Sequence, residues 1–543
     1  MTYNKNCPKL PWMVDFYTTE KGKVYNSQLE AAFANTTLDY LKSLSIKSRP
    51  ATFRETQIVA NITPETSCPV MEDMMKLNVR VFKIASLAED QNVVDIMAKI
   101  RSVTASFSKA SGKIYPLAIA LEIKGPEIRT GQVKSPGKKI SLEKGQITHL
   151  TTDPIYEEHV TEDMIFIDYE KLPSIVQPGD KVVLNNGSIT LSAIECAESI
   201  IKCIVDQAGE LLSRSCVVVP NVPLEAPTVA DSDKELIQHG IEEKIDFLFL
   251  SGITSKQGVM DVKELLGEEG RSIMLISKIE NPVAIENFDR ILEASDAICL
   301  DCDRLMIEIP KEKVFLIQKS IIAKCNLAGK PVICSLRLSD VSTISKAEIC
   351  DIANAVIDGA DALMIPPECC TKEAIKSVST ICREAEPAVY EKRVFDELTN
   401  EISSPVEAIY ALAISAVEST IKTGAAAIIC LTSSGRTAKL LSRFRPRCPI
   451  ITVTRYARIA RQLAIYKGID VLVYLRKLEG ENYAKDIEQR LHLGATYGKY
   501  AGYIRVGDAV VTVSGSRPGS GLTNNIQIMY ASDFDTLPRQ KKI

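Results

Sequence analysis

Ile273-Met274-Leu275-Ile276-Ser277-Lys278-Ile279-Glu280-Asn281 reads as one buried strand that ends in charge. The compact apolar run sets the strand. Lys278 and Glu280 are two apart, so on an extended backbone they share one face. An ammonium beside a carboxylate suited to a hard metal ion is the pairing that phosphoryl transfer needs. Short apolar runs of the same kind recur at 57–62, 79–84, 117–123, 246–251, 297–300, 331–335 and 361–365. The segments between them carry helical periodicity, as at 314–325 and 346–357. Eight alternating strand–helix units predict a (β/α)8 TIM barrel.

One interval breaks that rhythm. About a hundred residues separate the third and fourth strands, too many for a barrel crossover. They carry their own β signals: Val182-Val183-Leu184, a turn at Asn185-Asn186-Gly187, then Ile189-Thr190-Leu191. A small β-barrel domain inserted at the C-terminal rim is expected. After about residue 396 a helix (406–422), a buried strand (425–431), a helix (437–444) and strands at 450–453, 470–473 and 509–513 predict a C-terminal α/β domain. The expected division is an N-terminal arm (1–40), a barrel domain (41–124 and 225–395), an inserted β domain (125–224) and a C-terminal regulatory domain (396–543). The tail 533–543 carries weak signals, like the N-terminal arm.

Composition excludes several classes of function. Of 543 residues, 45% are hydrophobic and 25% charged, and the net charge of −4 offers no basic field for nucleic acid. No apolar run approaches a membrane span, and the first 23 residues lack the apolar core of a signal peptide. Cytoplasmic residence is expected. The 15 cysteines are scattered, which fits reduced thiols; Cys299-Leu300-Asp301-Cys302 reads as strand packing and Cys369-Cys370 as incidental. The four histidines, His149, His159, His239 and His492, show no pairing suited to metal or nucleophilic work.

Leu121-Glu122-Ile123-Lys124-Gly125-Pro126-Glu127-Ile128-Arg129-Thr130-Gly131 resembles the third-strand signature of the pyruvate kinase family. Ser277–Asn281, Glu308-Ile309-Pro310, Ala328-Gly329-Lys330-Pro331-Val332-Ile333-Cys334, Ala353-Asn354-Ala355-Val356, Arg445-Pro446-Arg447 and Arg517-Pro518-Gly519-Ser520-Gly521 follow in the family's order. The resemblance runs from about residue 40 to 530. It implies phosphoryl transfer from phosphoenolpyruvate to ADP, giving pyruvate and ATP in glycolysis. It also implies Mg2+ and K+ as cofactors, and a tetramer.

Carried over residue by residue, the resemblance makes Lys278 and Arg129 the catalytic cations and Glu280 one of two Mg2+ carboxylates. The family writes the second carboxylate in an Ala-Arg-Gly-Asp loop, where this chain reads Asp301-Cys302-Asp303-Arg304. Arg304 falls on the metal position. A guanidinium about 4 Å from a divalent ion costs on the order of 8 kcal/mol at an effective dielectric near 20. A shifted loop would instead bring Asp303 to the metal. The family's phosphate-binding arginine and two K+ ligands on the second strand become Val81, Lys83 and Ala85, and its other two K+ ligands become Glu122 and Ile123. Lys83 is expected to replace K+ and pair with Glu122. The threonine near the proton-transfer site becomes Leu336, its glutamine neighbour Arg337, and the Ser-Gly-Glu after the eighth strand Pro366-Pro367-Glu368. A leucine neither donates nor accepts a proton.

In the C-terminal domain, Thr432-Ser433-Ser434-Gly435-Arg436-Thr437 links a strand to a helix, an anion-cradling geometry. By resemblance it matches a loop that holds one phosphate of a sugar bisphosphate such as fructose bisphosphate. Arg490 matches the partner of the other phosphate, and Arg517, Gly519, Ser520 and Gly521 match a lid; Ser433 and Tyr483 depart from many sensitive members. Two expectations follow: a catalytically impaired, metabolite-binding member working as a homo- or hetero-oligomer, or an active but divergent pyruvate kinase using Lys278, Glu280 and a shifted Asp303.

Overall fold

The computed structural model describes residues 28, 31, 34–84, 91–125, 127–133, 139–220, 229–339, 344–476, 483–517, 519 and 521–532. Ala85, Pro126, Pro518, Ser520 and the tail 533–543 lie outside the described residues.

Eight parallel strands close into the expected barrel: Gln57–Ile62, Val81–Ile84, Ala118–Ile123, Phe247–Leu250, Met274–Ile279, Ala297–Leu300, Val332–Ser335 and Ala362–Ile365. The register runs round the ring, with Asn61 opposite Lys83, Phe249 opposite Glu122, and Lys278 opposite Cys299. Alternation decides what fills the interior. Val59, Val81, Ala118, Ala120, Phe247, Phe249, Met274, Ile276, Ala297 and Cys299 form the inner layers. The opposite parity, including Ile58, Ile62, Phe82, Leu121, Leu248, Leu275 and Ile298, packs against the surrounding helices. Burying these apolar faces supplies the main stabilisation, about 25 cal/mol per Å² removed from water.

The insert forms a seven-stranded sheet and a two-stranded ribbon around its own core, which includes Leu150, Ile165, Leu184, Leu191 and Ile201. The 185–187 turn joins Lys181–Leu184 to Ile189–Cys196 in antiparallel register. Gly125, where the insert leaves the barrel, has φ 67°, and a Cβ there would lie 2.4 Å from the Ser251 carbonyl oxygen. Only glycine fits that exit.

The C-terminal sheet orders its strands Ile469–Val473, Ile450–Thr454, Ala427–Leu431, Ala509–Gly515 and Thr523–Tyr530, the last antiparallel. It docks under the N-terminal ends of the barrel strands. Ion pairs join Arg80 to Asp470, Arg461 to Asp246 (2.8 Å) and Arg445 to Asp361 (2.7 Å), each with its aspartate buried. Every cysteine among the described residues is free. Among the described residues, no helix is long and apolar enough to cross a membrane.

Candidate active site

Strand parity carries one more layer past the apolar interior, and that layer is polar. Following Val59, Val81, Ala120, Phe249, Ile276 and Cys299 by two residues each gives Asn61, Lys83, Glu122, Ser251, Lys278 and Asp301. Glu280 continues the fifth strand. These side chains meet at the C-terminal mouth, where barrels of this type place their chemistry.

They form one chain of contacts. Asn61 Nδ2 donates to the Ile365 carbonyl at 2.6 Å, and Asn61 Oδ1 accepts from Lys83 Nζ at 2.9 Å. Lys83 is also ion-paired with Glu122 Oε2 and lies 5.6 Å from the Phe249 ring centroid. Glu122 Oε1 takes Lys278 Nζ at 2.8 Å and the Ser251 hydroxyl at 2.9 Å. Lys278 Nζ reaches Glu280 Oε2 at 3.1 Å and Asp301 Oδ2 at 3.6 Å. Glu280 Oε1 accepts the Gly252 N–H at 2.6 Å, while its Oε2 lies off any hydrogen-bonding line and has the Lys278 ammonium as its ionic neighbour. Burial alone would raise the Glu122 carboxyl, but the Lys278 and Lys83 ammonium groups override it and hold it well below the usual range. Burial opposes the Lys278 charge, and Glu122, Glu280 and Asp301 reverse that and lift it well above the ordinary lysine value. Glu280 is lowered, the pull of Lys278 and Arg304 exceeding burial.

Arg304 lies in the first turn of the helix Cys302–Glu308, whose N-cap is Asp301; Asp301 Oδ1 accepts the Arg304 N–H at 3.3 Å. Its guanidinium spans the cleft to the insert. Nη2 pairs with Glu127 Oε1, and Nη1 lies 3.1 Å from Cys216 Sγ. Arg129 Nη2 holds the other oxygen of Glu127 at 2.5 Å, so two arginines share that carboxylate. Burial works against the Arg304 charge, but Glu280, Cys216, Glu127 and Asp301 keep it firmly protonated.

The predicted residues are therefore not all brought together. Lys83, Glu122, Lys278 and Glu280 share one lattice, with Arg304 and Arg129 on its insert side. Asp303 stands outside: its side chain is 49% exposed and its ionic neighbour is Arg337 Nε at 3.9 Å. The cause is helical geometry, since Asp301 caps the helix and the next two residues turn away from the mouth. Asp301 is the carboxylate that the sequence reading missed, although parity from Ala297 and Cys299 points to it. Leu336 is buried near the rim at 6% exposure.

The donor set does not fit the family's metal ions. Mg2+ is usually held by one or two carboxylates together with substrate phosphate oxygens. Here Glu280 and Asp301 both turn to Lys278, and a guanidinium stands among Glu280, Asp301 and Glu127. For K+, the Asn61 and Glu122 oxygens are already turned to the Lys83 ammonium.

A second candidate site lies in the C-terminal domain. The strand Ala427–Leu431 runs into Thr432, Ser433, Ser434 and Gly435 before the helix Arg436–Arg443. Gly435 takes φ 83°, and its N–H donates to Thr432 Oγ1 at 3.0 Å. Thr432, Ser433, Ser434, Arg436, Thr437, Tyr483, Arg490, Arg517, Gly519 and Gly521 line one shallow cleft. Arg436 pairs with Glu407 at 2.5 Å and Arg490 with Asp486 at 2.8 Å. The Thr437 and Thr523 hydroxyls are 2.9 Å apart.

Fold and rim together define a (β/α)8-barrel protein with its ionised groups gathered at the strand C-termini. Comparison with known proteins narrows this. The pyruvate kinase barrel domain matches residues 53–374, and the pyruvate kinase alpha/beta domain matches residues 410–529. Pyruvate kinase PKLR of Rattus norvegicus is 38% identical over 529 residues, covering 95% of this chain and 92% of that protein. Pyruvate kinase 1 of Trypanosoma brucei brucei is 34% identical over 507 residues (91% and 99%), and the Candida albicans enzyme 33% over 513 residues (92% and 100%). The chain belongs to the pyruvate kinase family.

Proposed function

We propose that this chain is a catalytically impaired pyruvate kinase relative, which binds phosphorylated metabolites and acts within a homo- or hetero-oligomer. The observation that carries the reading is Arg304, a half-buried guanidinium tied to Glu127 and Cys216 beside the two rim carboxylates. The family's reaction, phosphoryl transfer from phosphoenolpyruvate to ADP, needs cations that meet charge developing in the transition state. In this chain Lys278 and Lys83 are neutralised by Glu122, Glu280 and Asp301, and Arg304 and Arg129 by Glu127. Leu336 and Pro366-Pro367 leave the enolate without a hydroxyl for protonation at those positions. The Lys83 ammonium takes the part of K+.

What is retained supports binding and assembly. The 432–437 turn, Arg490 and Arg517 suit a sugar bisphosphate such as fructose bisphosphate. Phe315 (56% exposed) and Leu316 (55%) on the helix Val314–Ala328, with Ile349 and Ile357 on Lys346–Asp358, offer apolar contact to another copy or an active relative. The division into arm, barrel, insert and regulatory domain, and cytoplasmic residence, belong to the same proposal.

One observation favours the alternative of an active, divergent pyruvate kinase: Asp301, not Asp303, converges with Glu280 on Lys278. Melting of the pure protein separates the two. The impaired reading expects stabilisation by fructose bisphosphate and none by Mg2+ or K+. Saturable stabilisation by Mg2+ together with phosphoenolpyruvate would favour the alternative.

A further inference from the structure

The cleft over the barrel mouth has one wall from the insert and one from the barrel, and a single side chain spans them. On the insert side, the short strand Ile128–Arg129 pairs antiparallel with Cys216–Val218, with Arg129 opposite Cys216. Residues directly opposite in such a pair share a face, and Glu127 lies two residues from Arg129. The pleat thus puts Glu127, Arg129 and Cys216 on one side of the ribbon. Cys216–Val218 also pairs with Lys181–Leu184, the strand that runs into the 185–187 turn. On the barrel side, the helix Cys302–Glu308 faces both features. Arg304 pairs with Glu127 and lies 3.1 Å from Cys216 Sγ. Ile307, three residues on and so on the same helix face, meets the turn: a Cβ on Gly187 would lie 3.7 Å from Ile307 Cγ1.

Each wall is neutralised apart from this tie. Glu127 keeps Arg129 Nη2 at 2.5 Å, and Arg129 Nη1 also donates to the Arg214 carbonyl at 3.2 Å. Glu280 and Asp301 on the barrel keep Lys278. Arg304 feels carboxylates from both walls, Glu280 and Asp301 from one and Glu127 from the other. A cation between two anionic walls draws them together; without it each wall stays paired and only the attraction across the cleft is lost. The Arg304 and Glu127 side chains are 23% and 15% exposed, so salt and water screen the pair less than they would at an open surface. Beneath it lies the buried layer of Lys83, Lys278 and Glu280. The N–H groups of Lys124 and Gly125 each donate to an Asp233 oxygen at 3.0 Å, which anchors the chain where the insert leaves the barrel.

We propose that Arg304 is a latch, which holds the insert closed over the barrel mouth by gripping Glu127 while Ile307 seats against the 185–187 turn. The closed arrangement is then made by the chain's own side chains, and whatever enters the mouth has first to part Arg304 from Glu127. The latch concerns where the insert sits, and it holds whether or not the rim turns over substrate.

Hydroxyl-radical footprinting of the full chain, read by mass spectrometry, tests it with no substrate added. Arg304→Met and Glu127→Ala should each raise labelling of Ile307 at least about threefold as the cleft opens, and Glu127→Ala should raise that of Cys216 as well. Phe315, exposed on the helix Val314–Ala328, should be unchanged. Glu127→Ala alters no residue of the helix 302–308, so a rise at Ile307 in that variant reports the cleft and not a damaged helix. The double variant should exceed neither single one, since both break the same tie. Glu127→Gln provides the same readout if Glu127→Ala folds poorly. Labelling of Ile307 equal to the parent in the single variants, or effects that add in the double variant, overturns the latch.

Discussion

Arg304→Asp should restore divalent-ion binding at the barrel mouth. Glu280, the carboxylate expected to hold a divalent ion, is among the charges that oppose the burial penalty on Arg304, and a separation of roughly 6 Å serves for the estimate. Two positive charges against one, at an effective dielectric near 20, repel by about 5 kcal/mol. That alone is worth roughly four decades of affinity. Reversing the sign at 304 widens the swing, and relaxation of the loop takes part of it back. A gain of at least about a hundredfold is the expected outcome. Mn2+ is a suitable probe, followed by calorimetry and by its electron paramagnetic resonance signal, neither of which needs turnover. Arg304→Gln separates loss of the cation from gain of a ligand and should fall between parent and Asp variant. The parent should show no saturable rim site at low millimolar Mn2+. Equal Mn2+ affinity in the parent and both variants would refute the electrostatic reasoning outright.

Lys278→Met should cost about 3–5 kcal/mol, because Glu122, Glu280 and Asp301 lose the ammonium between them. Glu122 is held below its unfolded value of 4.5, so this contribution is in place above that pH and drains as pH falls further; the gap between the melting temperatures of parent and variant should shrink in acid. Lys83→Asn should make melting sensitive to K+, with saturable stabilisation absent from the parent; a parent that already responds to K+ contradicts the tethered-ammonium reading. Thr432→Ala combined with Arg490→Leu should weaken fructose bisphosphate binding at least about tenfold by calorimetry, through loss of a hydroxyl and a charge-assisted donor.

The barrel was legible because its strands are short apolar runs buried on both faces, which stand out from amphipathic helices. The elements that escaped were polar. Thr523–Tyr530 is an edge strand carrying Asn524, Asn525 and Gln527, and it is fixed by antiparallel pairing to Ala509–Gly515 rather than by its own apolar content. At the rim, alignment by resemblance drew attention to positions 303 and 304 and away from 301. Parity was the better guide, because the Ala297-Cys299-Asp301 face is set by the pleat and the helix cap, whatever residue a relative carries there. The pairing of Lys83 with Glu122 follows from the resemblance, which puts both on K+-ligand positions, and the ion pair brings the two side chains together at the mouth. Glu127 as the shared partner of Arg129 and Arg304 was not readable, since the insert has to close over the rim before they meet.

The most direct test is pyruvate formation by the purified full chain, coupled to lactate dehydrogenase, with phosphoenolpyruvate, ADP, K+ and fructose bisphosphate, with and without Mg2+. The internally paired rim predicts no Mg2+-dependent turnover above background. Sustained turnover on the order of 10 s⁻¹, typical of working enzymes, would contradict it.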